Sequence, residues 1–272
     1  MDDPNFPLKK QKEFMWLSTY YFVVTALIIR FLTEFQIALL LKFYRIYYTY
    51  TPFGVMLEKG GRGNWEDSKI ILVFGLGSFL AMASGLILLR LLKKSRSMSW
   101  KNRLFFTWFA FLLVHQLPFN MLTGAFFYDG FGYAFTNMIL WRYARLLLAL
   151  LAVGISIYFR TKWLTLFLKT APSHRFIVYR QRYLRRVFTY PWLIGTGIIA
   201  LYAIASKSFI WVLTSLALGM VVLPILNRAS PGKKVRLSKA DSRDLYKSQH
   251  VVLMQLFFLT LLLLASFYQI RL

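Results

Sequence analysis

Long apolar segments constrain the fold of this chain more than any other feature. Each of them approaches or exceeds the roughly 20 residues with which an α-helix crosses a hydrocarbon core of about 30 Å. A helix satisfies its own backbone hydrogen bonds, so segments of this length predict transmembrane helices. The seven predicted spans are Phe14 to Leu41, Ile70 to Leu92, Leu104 to Leu122, Phe135 to Phe159, Val187 to Ala205, Phe209 to Leu226 and Val251 to Ile270.

The net charge supports a membrane location. The chain is 58% hydrophobic, yet it carries 34 basic and only 10 acidic residues, for a formal net charge of +24. A soluble protein this apolar would not normally be so basic, whereas a polytopic membrane protein collects its basic residues in cytoplasmic loops. Several apolar runs of bilayer length also argue against a nucleic-acid-binding protein.

The distribution of basic residues predicts the topology. With seven spans and a cytoplasmic N-terminus, 24 basic residues fall in cytoplasmic segments, 7 in external segments and 3 within spans. Only residues 206–208 separate the fifth and sixth spans, but fusing them would place the basic loops of residues 160–186 and 228–247 on opposite sides. The positive-inside rule therefore favours an all-α, polytopic helical bundle, with residues 1–272 as a single transmembrane domain and an external C-terminus.

The sequence also indicates the compartment of the protein and the character of its first loop. The absence of Asn-x-Ser/Thr sequons favours the bacterial cytoplasmic (inner) membrane. The first dozen residues lack a cleavage site, so we expect the N-terminus to be retained. Glycine and proline predict that the loop from Lys42 to Lys69 is irregular and external.

Basic side chains before the fifth span predict contact with anionic lipid headgroups at the cytoplasmic face. Several of them recur at spacings of three and four, as in an interfacial helix. These residues are Arg175, Arg180, Arg182, Arg185 and Arg186.

Arginine residues inside two spans need partners. Arg30 and Glu34 lie four residues apart, so they share a helix face and can neutralise each other. Arg142 and Arg145 also share a face, and two cations at that depth repel unless an anion joins them. The candidates are Asp129, an anionic substrate or partner, and the phosphates of the outer leaflet.

The third span contains the polar run His115, Gln116 and Asn120, with Pro118 between them. Gln116 and Asn120 can form hydrogen bonds to neighbouring helices, and a lone histidine is usually a packing residue rather than a metal ligand. We expect no metal site. One hypothesis places the polar residues of the spans in a single outward-facing cavity. This candidate cluster comprises Arg30, Glu34, His115, Gln116, Asn120, Asp129, Arg142 and Arg145.

The order of His115, Asn120 and then Asp129-Gly130 resembles that of the site-2 proteases, intramembrane zinc enzymes with a His-Glu-x-x-His helix and a later Asp-Gly segment. The four residues after His115 are Gln-Leu-Pro-Phe, so the general-base glutamate and the second histidine are missing. A catalytic zinc ion takes about three protein ligands, and only His115 and Asp129 could serve. The resemblance therefore implies a related scaffold without the catalytic chemistry.

Other enzyme signatures are missing from the sequence, which contains no Gly-x-Ser-x-Gly and no P-loop. We therefore expect no catalytic residues and no cofactor, and membrane proteins and lipids as partners. The leading hypothesis is a non-catalytic integral membrane subunit or scaffold of a bacterial inner-membrane assembly. The alternative is a transporter or lipid-modifying enzyme that acts on an anionic substrate through the outward-facing cavity.

Overall fold

The computed structural model of this chain is a helical bundle with a small β-sheet. It describes residues 8–51, 54–57, 66–95, 98–127, 130–158, 160–172, 180–205 and 270–271. The predicted sixth span and nearly all of the seventh lie outside these residues, as do Asp129 and Arg175.

The described residues form seven helices and three strands in chain order. They are α1 (Leu8–Phe43), β1 (Tyr48–Thr51), β2 (Gly54–Leu57), α2 (Asp67–Lys94), α3 (Trp100–Phe126), α4 (Phe131–Met138), α5 (Arg142–Tyr158), α6 (Arg160–Leu168), α7 (180–205) and β3 (Ile270–Arg271). A π-helical turn interrupts α2 at Ile71–Gly75, and another interrupts α7 at Arg185–Thr189.

Three helices of the described chain, α1, α2 and α3, are long and apolar enough to cross a membrane. A fourth candidate is the pair α4 and α5, which passes the same test but is bent by 118° at a short break. By length and composition these helices are compatible with a membrane protein, and they overlap the first four predicted spans.

Contacts between α1, α2 and α3 define their relative directions. Asn120 of α3 meets Ser78 of α2, and Gly85 of α2 lies against Leu113 of α3, so these two helices are antiparallel. Phe14 of α1 packs on Trp100 at the start of α3, with ring centroids 4.9 Å apart. The helices α1 and α3 therefore run in the same direction. The helix α2, which lies between them in the chain, runs in the opposite direction.

The next two segments continue this alternation. Trp163 of α6 packs against Phe111 of α3, and Phe167 of α6 packs against Trp108, one turn earlier in α3. The helix α6 is therefore antiparallel to α3. In α7, Val187 lies beside Ser18 of α1, and Gly195 lies against Phe22, which makes α7 parallel to α1. The helices α1, α2, α3, α6 and α7 thus alternate in direction along the described chain.

Aromatic rings fill the centre where α1, α3, α6 and α7 meet. Trp108 is fully buried and stacks on Phe188, with centroids 5.2 Å apart, while Phe22 and Phe167 meet it edge-on. Aromatic pairs in these geometries contribute about 0.5–1.5 kcal/mol beyond the area they bury. This cluster joins the N-terminal half of the described bundle to α6 and α7.

The prediction of an irregular loop from Lys42 to Lys69 is wrong for its first part. The strands β1 and β2 pair as an antiparallel hairpin, with Thr51 opposite Gly54. The strand β3 pairs with β1 on its other edge. Tyr48 packs on the C-terminal end of α1, so β3 lies at the end of the bundle opposite to the beginning of α1.

The boundaries of two predicted spans need correction. The fourth span was predicted to be continuous from Phe135, but the helix stops at Met138 and restarts at Arg142. Residues 139–141 of the predicted span are apolar, so the average hydropathy stays high across the break and does not indicate it. The seventh span was predicted to reach Ile270, but Ile270 belongs to β3.

Candidate functional site

Two inter-helix hydrogen bonds form the centre of the candidate site. The Gln116 side-chain amide of α3 donates to the Thr33 hydroxyl of α1 over 2.8 Å. One turn further along α3, the Asn120 amide donates to the Ser78 hydroxyl of α2, also over 2.8 Å. We call the site formed by Arg30, Thr33, Glu34, Gln36, Ser78, Gln116 and Asn120 the polar junction.

Gln36 completes the polar junction from α1. Its amide oxygen lies against Gly77 of α2, where a Cβ atom would approach it to 2.2 Å. Among the described residues, neither amide atom of Gln36 has a hydrogen-bond partner, and the same holds for the Gln116 oxygen. A buried amide without a partner carries a desolvation cost of roughly 1–3 kcal/mol, so the junction is only partly satisfied.

The ion pair predicted from the i, i+4 spacing is present in the polar junction. Arg30 Nη1 lies 2.7 Å from Glu34 Oε1. The Glu34 side chain is buried, whereas about a quarter of the Arg30 side chain is exposed. The pair neutralises a charge whose insertion at a helix centre costs roughly 2.5–3.5 kcal/mol.

His115 faces a different side of α3 from the polar junction. Its Nδ1 lies 2.7 Å from the carbonyl oxygen of Phe111, which can only accept, so Nδ1 carries the proton. The ring is 3% exposed and packs against Phe111 and Trp163, with centroid distances of 4.3 and 5.4 Å. This environment is that of a packing histidine.

The structure separates the environments of Arg142 and Arg145. Arg142 is the first residue of α5 and is exposed, while Arg145 is buried and donates to the Thr136 hydroxyl of α4. Arg145 thereby fastens α5 to α4 across the break between them. Asp129, the predicted counter-ion, lies outside the described residues.

A second polar link joins three helices and was not predicted from the sequence. Trp108 Nε1 donates to the Ser18 hydroxyl over 2.8 Å, and Ser18 donates to the Val187 carbonyl oxygen over 2.6 Å. Val187 lies in the π-helical turn of α7, where the regular α-helical hydrogen bonding is interrupted. Neither the spacing of these residues nor their type distinguishes them from other serine and tryptophan residues in spans.

The predicted lipid-contact arginines lie at the beginning of α7. Arg182 and Arg185 are exposed, while Arg180 and Arg186 are half-buried. At the same level, the Tyr183 hydroxyl donates to Thr170 over 2.9 Å, because the Thr170 hydrogen is used by the Phe167 carbonyl. Burial raises the pKa of the Tyr183 phenol, so it stays neutral in this bond.

A row of buried polar atoms continues from this end along α7. The side chains of Arg186, Thr189, Trp192 and Thr196 each place one buried nitrogen or oxygen atom without a hydrogen-bond partner among the described residues. Sequence reasoning included only Arg186 among these residues, because single threonine and tryptophan residues in a span carry little signal.

The polar side chains of the described residues mainly form hydrogen bonds between helices. No group of three or more His, Cys, Asp or Glu residues in that part of the chain could hold a metal ion. The polar side chains instead connect α1 to α3, α3 to α2, and α4 to α5. Hydrogen bonds of this kind stabilise membrane helix bundles by about 0.6 kcal/mol on average.

We expect the Thr33–Gln116 bond to be measurable in a double-mutant cycle. The variants Thr33→Val, Gln116→Leu and their combination should give a coupling free energy of roughly 0.6–1.7 kcal/mol. The measurement is reversible unfolding in mixed micelles. Asn137→Leu is the control partner for Gln116→Leu, since Asn137 donates only to Tyr133 in its own helix, and it should show no coupling. A zero coupling for Thr33 and Gln116 would contradict the geometry.

No protein-family model matches the chain, and neither a search of curated proteins nor a search of solved structures finds a significant match.

Proposed function

We propose that this chain is a multi-pass, non-catalytic subunit or scaffold of a bacterial inner-membrane protein assembly. The observation that carries the proposal is how its intramembrane polar residues are used. Gln116, Asn120, Ser18 and Arg145 each form a hydrogen bond to another helix. Residues used in this way stabilise a particular helix arrangement.

The proposed topology has seven spans, with the N-terminus in the cytoplasm and the C-terminus outside. The alternating directions of α1, α2, α3, α6 and α7 support a chain that crosses the membrane several times. The pairing of β3 with β1 supports an odd number of crossings, because α1 begins at one end of the bundle and β3 lies at the other. The basic residues at the beginning of α7 lie near the beginning of α1, as the positive-inside rule requires.

A large exposed apolar surface supports a role in lipid and partner contact. On α2, Leu80, Ile87 and Leu91 are exposed, and on α5 Leu147 and Leu150 are exposed. Apolar patches of this extent mark contact with lipid or with another membrane protein.

The proposal is tested by isolating the protein from its native membrane in lipid nanodiscs formed directly by an amphipathic polymer. We expect a stoichiometric set of partner proteins by quantitative mass spectrometry, and a complex larger than the monomer by mass photometry. The Arg142→Ala, Arg145→Ala double variant, expressed at the same level as the wild-type protein, is the control for the recovery of partner proteins. A wild-type protein that is recovered alone or only with copies of itself would contradict the assembly.

The second candidate is a transporter or lipid-modifying enzyme for an anionic substrate. It is favoured by one observation, since the side-chain amide nitrogen of Gln36, which can donate to an anion, is buried without a partner among the described residues of the polar junction. The scaffold proposal predicts that Arg142→Ala with Arg145→Ala leaves the lipid profile and solute uptake of cells unchanged when protein levels are equal. A changed lipid profile or a lost uptake activity would favour this candidate.

A further inference from the structure

The break between α4 and α5 forms an exposed tip on the bundle. We call residues 139–143 the elbow. Leu140, Trp141 and Tyr143 are 84%, 68% and 70% exposed, and Arg142 between them is also exposed. The two helices meet there at 118°. Large apolar and aromatic side chains that are this exposed indicate contact with lipid or with another protein.

The elbow is held rigidly by the residues around it. Arg145 fastens α5 to Thr136 of α4, and the backbone nitrogen of Arg145 donates to the Trp141 carbonyl oxygen over 3.2 Å. On the other side of α4, Gly132 lies so close to Phe127 that a Cβ atom would meet the Phe127 carbonyl oxygen at 2.0 Å. The exposed side chains of the elbow therefore stay exposed instead of folding back onto the bundle.

Contacts of α4 fix the depth of the elbow. Tyr133 packs against Phe74 with centroids 5.7 Å apart, and Ala134 lies beside Gly75. Phe74 and Gly75 are in the first turns of α2, close to the end of the bundle where β1 and β2 lie. This places α4 near the end of the bundle where β1 and β2 lie.

Along the chain, the exposed side chains change from polar and aromatic to aliphatic, in the same order as the headgroup and acyl-chain layers of a lipid leaflet. Trp141, Arg142 and Tyr143 come first, and Leu147 and Leu151 follow along the exposed side of α5. Tryptophan and tyrosine are enriched at the membrane interface, and arginine pairs with phosphate through two parallel hydrogen bonds. Leucine suits the acyl chains below. A protein partner would not require this order, and the charge of Arg142 complements a phosphate.

We propose that the elbow is an interfacial anchor that docks onto the phosphate and glycerol layer of the leaflet at the α1 C-terminal end of the bundle. Arg142 contacts lipid phosphate, Trp141 and Tyr143 lie at the level of the headgroups, and α4 lies along the membrane surface. The break thus divides the predicted fourth span into an interfacial helix and a helix that enters the bilayer. This inference does not depend on the assembly proposal.

The test is a depth measurement by spin labelling of the purified full chain in phospholipid nanodiscs. The chain has no cysteine, so Leu140→Cys, Leu147→Cys and Leu151→Cys each give one label site. Collisions with apolar oxygen and with a water-soluble nickel chelate report depth. We expect position 140 at the interface and positions 147 and 151 progressively deeper, with more oxygen and less nickel contact. Ala149→Cys is the buried control, which neither reagent should reach.

Two outcomes would overturn the proposal. Free access of the nickel complex to position 140, as in bulk water, would mean that the elbow projects from the membrane and awaits a protein partner. A depth at position 140 equal to that at 147 would mean that the break lies inside the hydrocarbon core. Because exposed positions carry the three labels, the substitutions leave the packed core unchanged.

Discussion

Replacing Trp108 with alanine is expected to destabilise the protein by about 3–5 kcal/mol, the usual cost of removing a large buried aromatic side chain. Trp108 is fully buried and packs on Phe22, Phe167 and Phe188, which belong to three other segments. The substitution leaves a cavity at the centre and also removes the hydrogen bond to Ser18. The free energy of unfolding in mixed micelles, measured by circular dichroism, reports the loss.

Two variants separate the contributions of Trp108. Trp108→Phe keeps much of the ring packing but removes the Nε1 donor, so it should lose less than Trp108→Ala. Trp16→Ala is the matched control, because Trp16 is on α1 and is 56% exposed. It should change the unfolding free energy by only a few tenths of a kcal/mol. Equal losses for Trp16→Ala and Trp108→Ala would contradict the position of the aromatic core.

The second large effect is expected at Gly195, where α7 packs tightly against α1. A Cβ atom at this position would lie 2.3 Å and 2.8 Å from two ring atoms of Phe22, which is itself buried. Gly195→Ala should therefore destabilise the protein by roughly 1–3 kcal/mol, the usual cost of overpacking a filled interface. Thermal unfolding in detergent, at equal protein concentration, measures it.

Gly197 provides a control two residues away in the same helix. It is exposed, and a Cβ atom there meets nothing within 4 Å. Gly197→Ala should therefore be neutral or stabilise the helix by up to about 1 kcal/mol. Trimming the ring in the Gly195→Ala, Phe22→Leu double variant should recover part of the loss. Equal changes in thermal stability for Gly195→Ala and Gly197→Ala would contradict the close packing of α7 on α1.

The sequence predicted α1, α2, α3 and α7 because bilayer thickness and helix rise together determine the length of an apolar segment. It did not predict α6, which lies within residues 160–186, a segment predicted to be a cytoplasmic loop. It could not locate the break after Met138, since Ile139, Leu140 and Trp141 are as apolar as a continuous span and no Pro or Gly marks it. It also could not predict the β1–β2 hairpin, whose register depends on pairing along the chain rather than on composition.

The candidate site was predictable where the partner is local. The Arg30–Glu34 ion pair follows from a spacing of four, and it is present. For Gln116, the sequence predicts a hydrogen bond to another helix, but the identity of Thr33 depends on how α1 and α3 pack. His115 illustrates the same limit, because its packing depends on Trp163 of α6, which is 48 positions further along the chain.

The most direct test of the account is the labelling of single cysteine variants with a membrane-impermeant thiol reagent in intact cells and in inverted membrane vesicles. The proposal is that the polar junction joins helices and is closed to water in a seven-span protein. It predicts no labelling from either side for Thr33→Cys, Glu34→Cys and Gln116→Cys. It predicts labelling of Lys42→Cys only from outside and of Lys94→Cys only from the cytoplasmic side. Labelling of the junction positions from outside would instead show an outward-facing cavity and contradict the account.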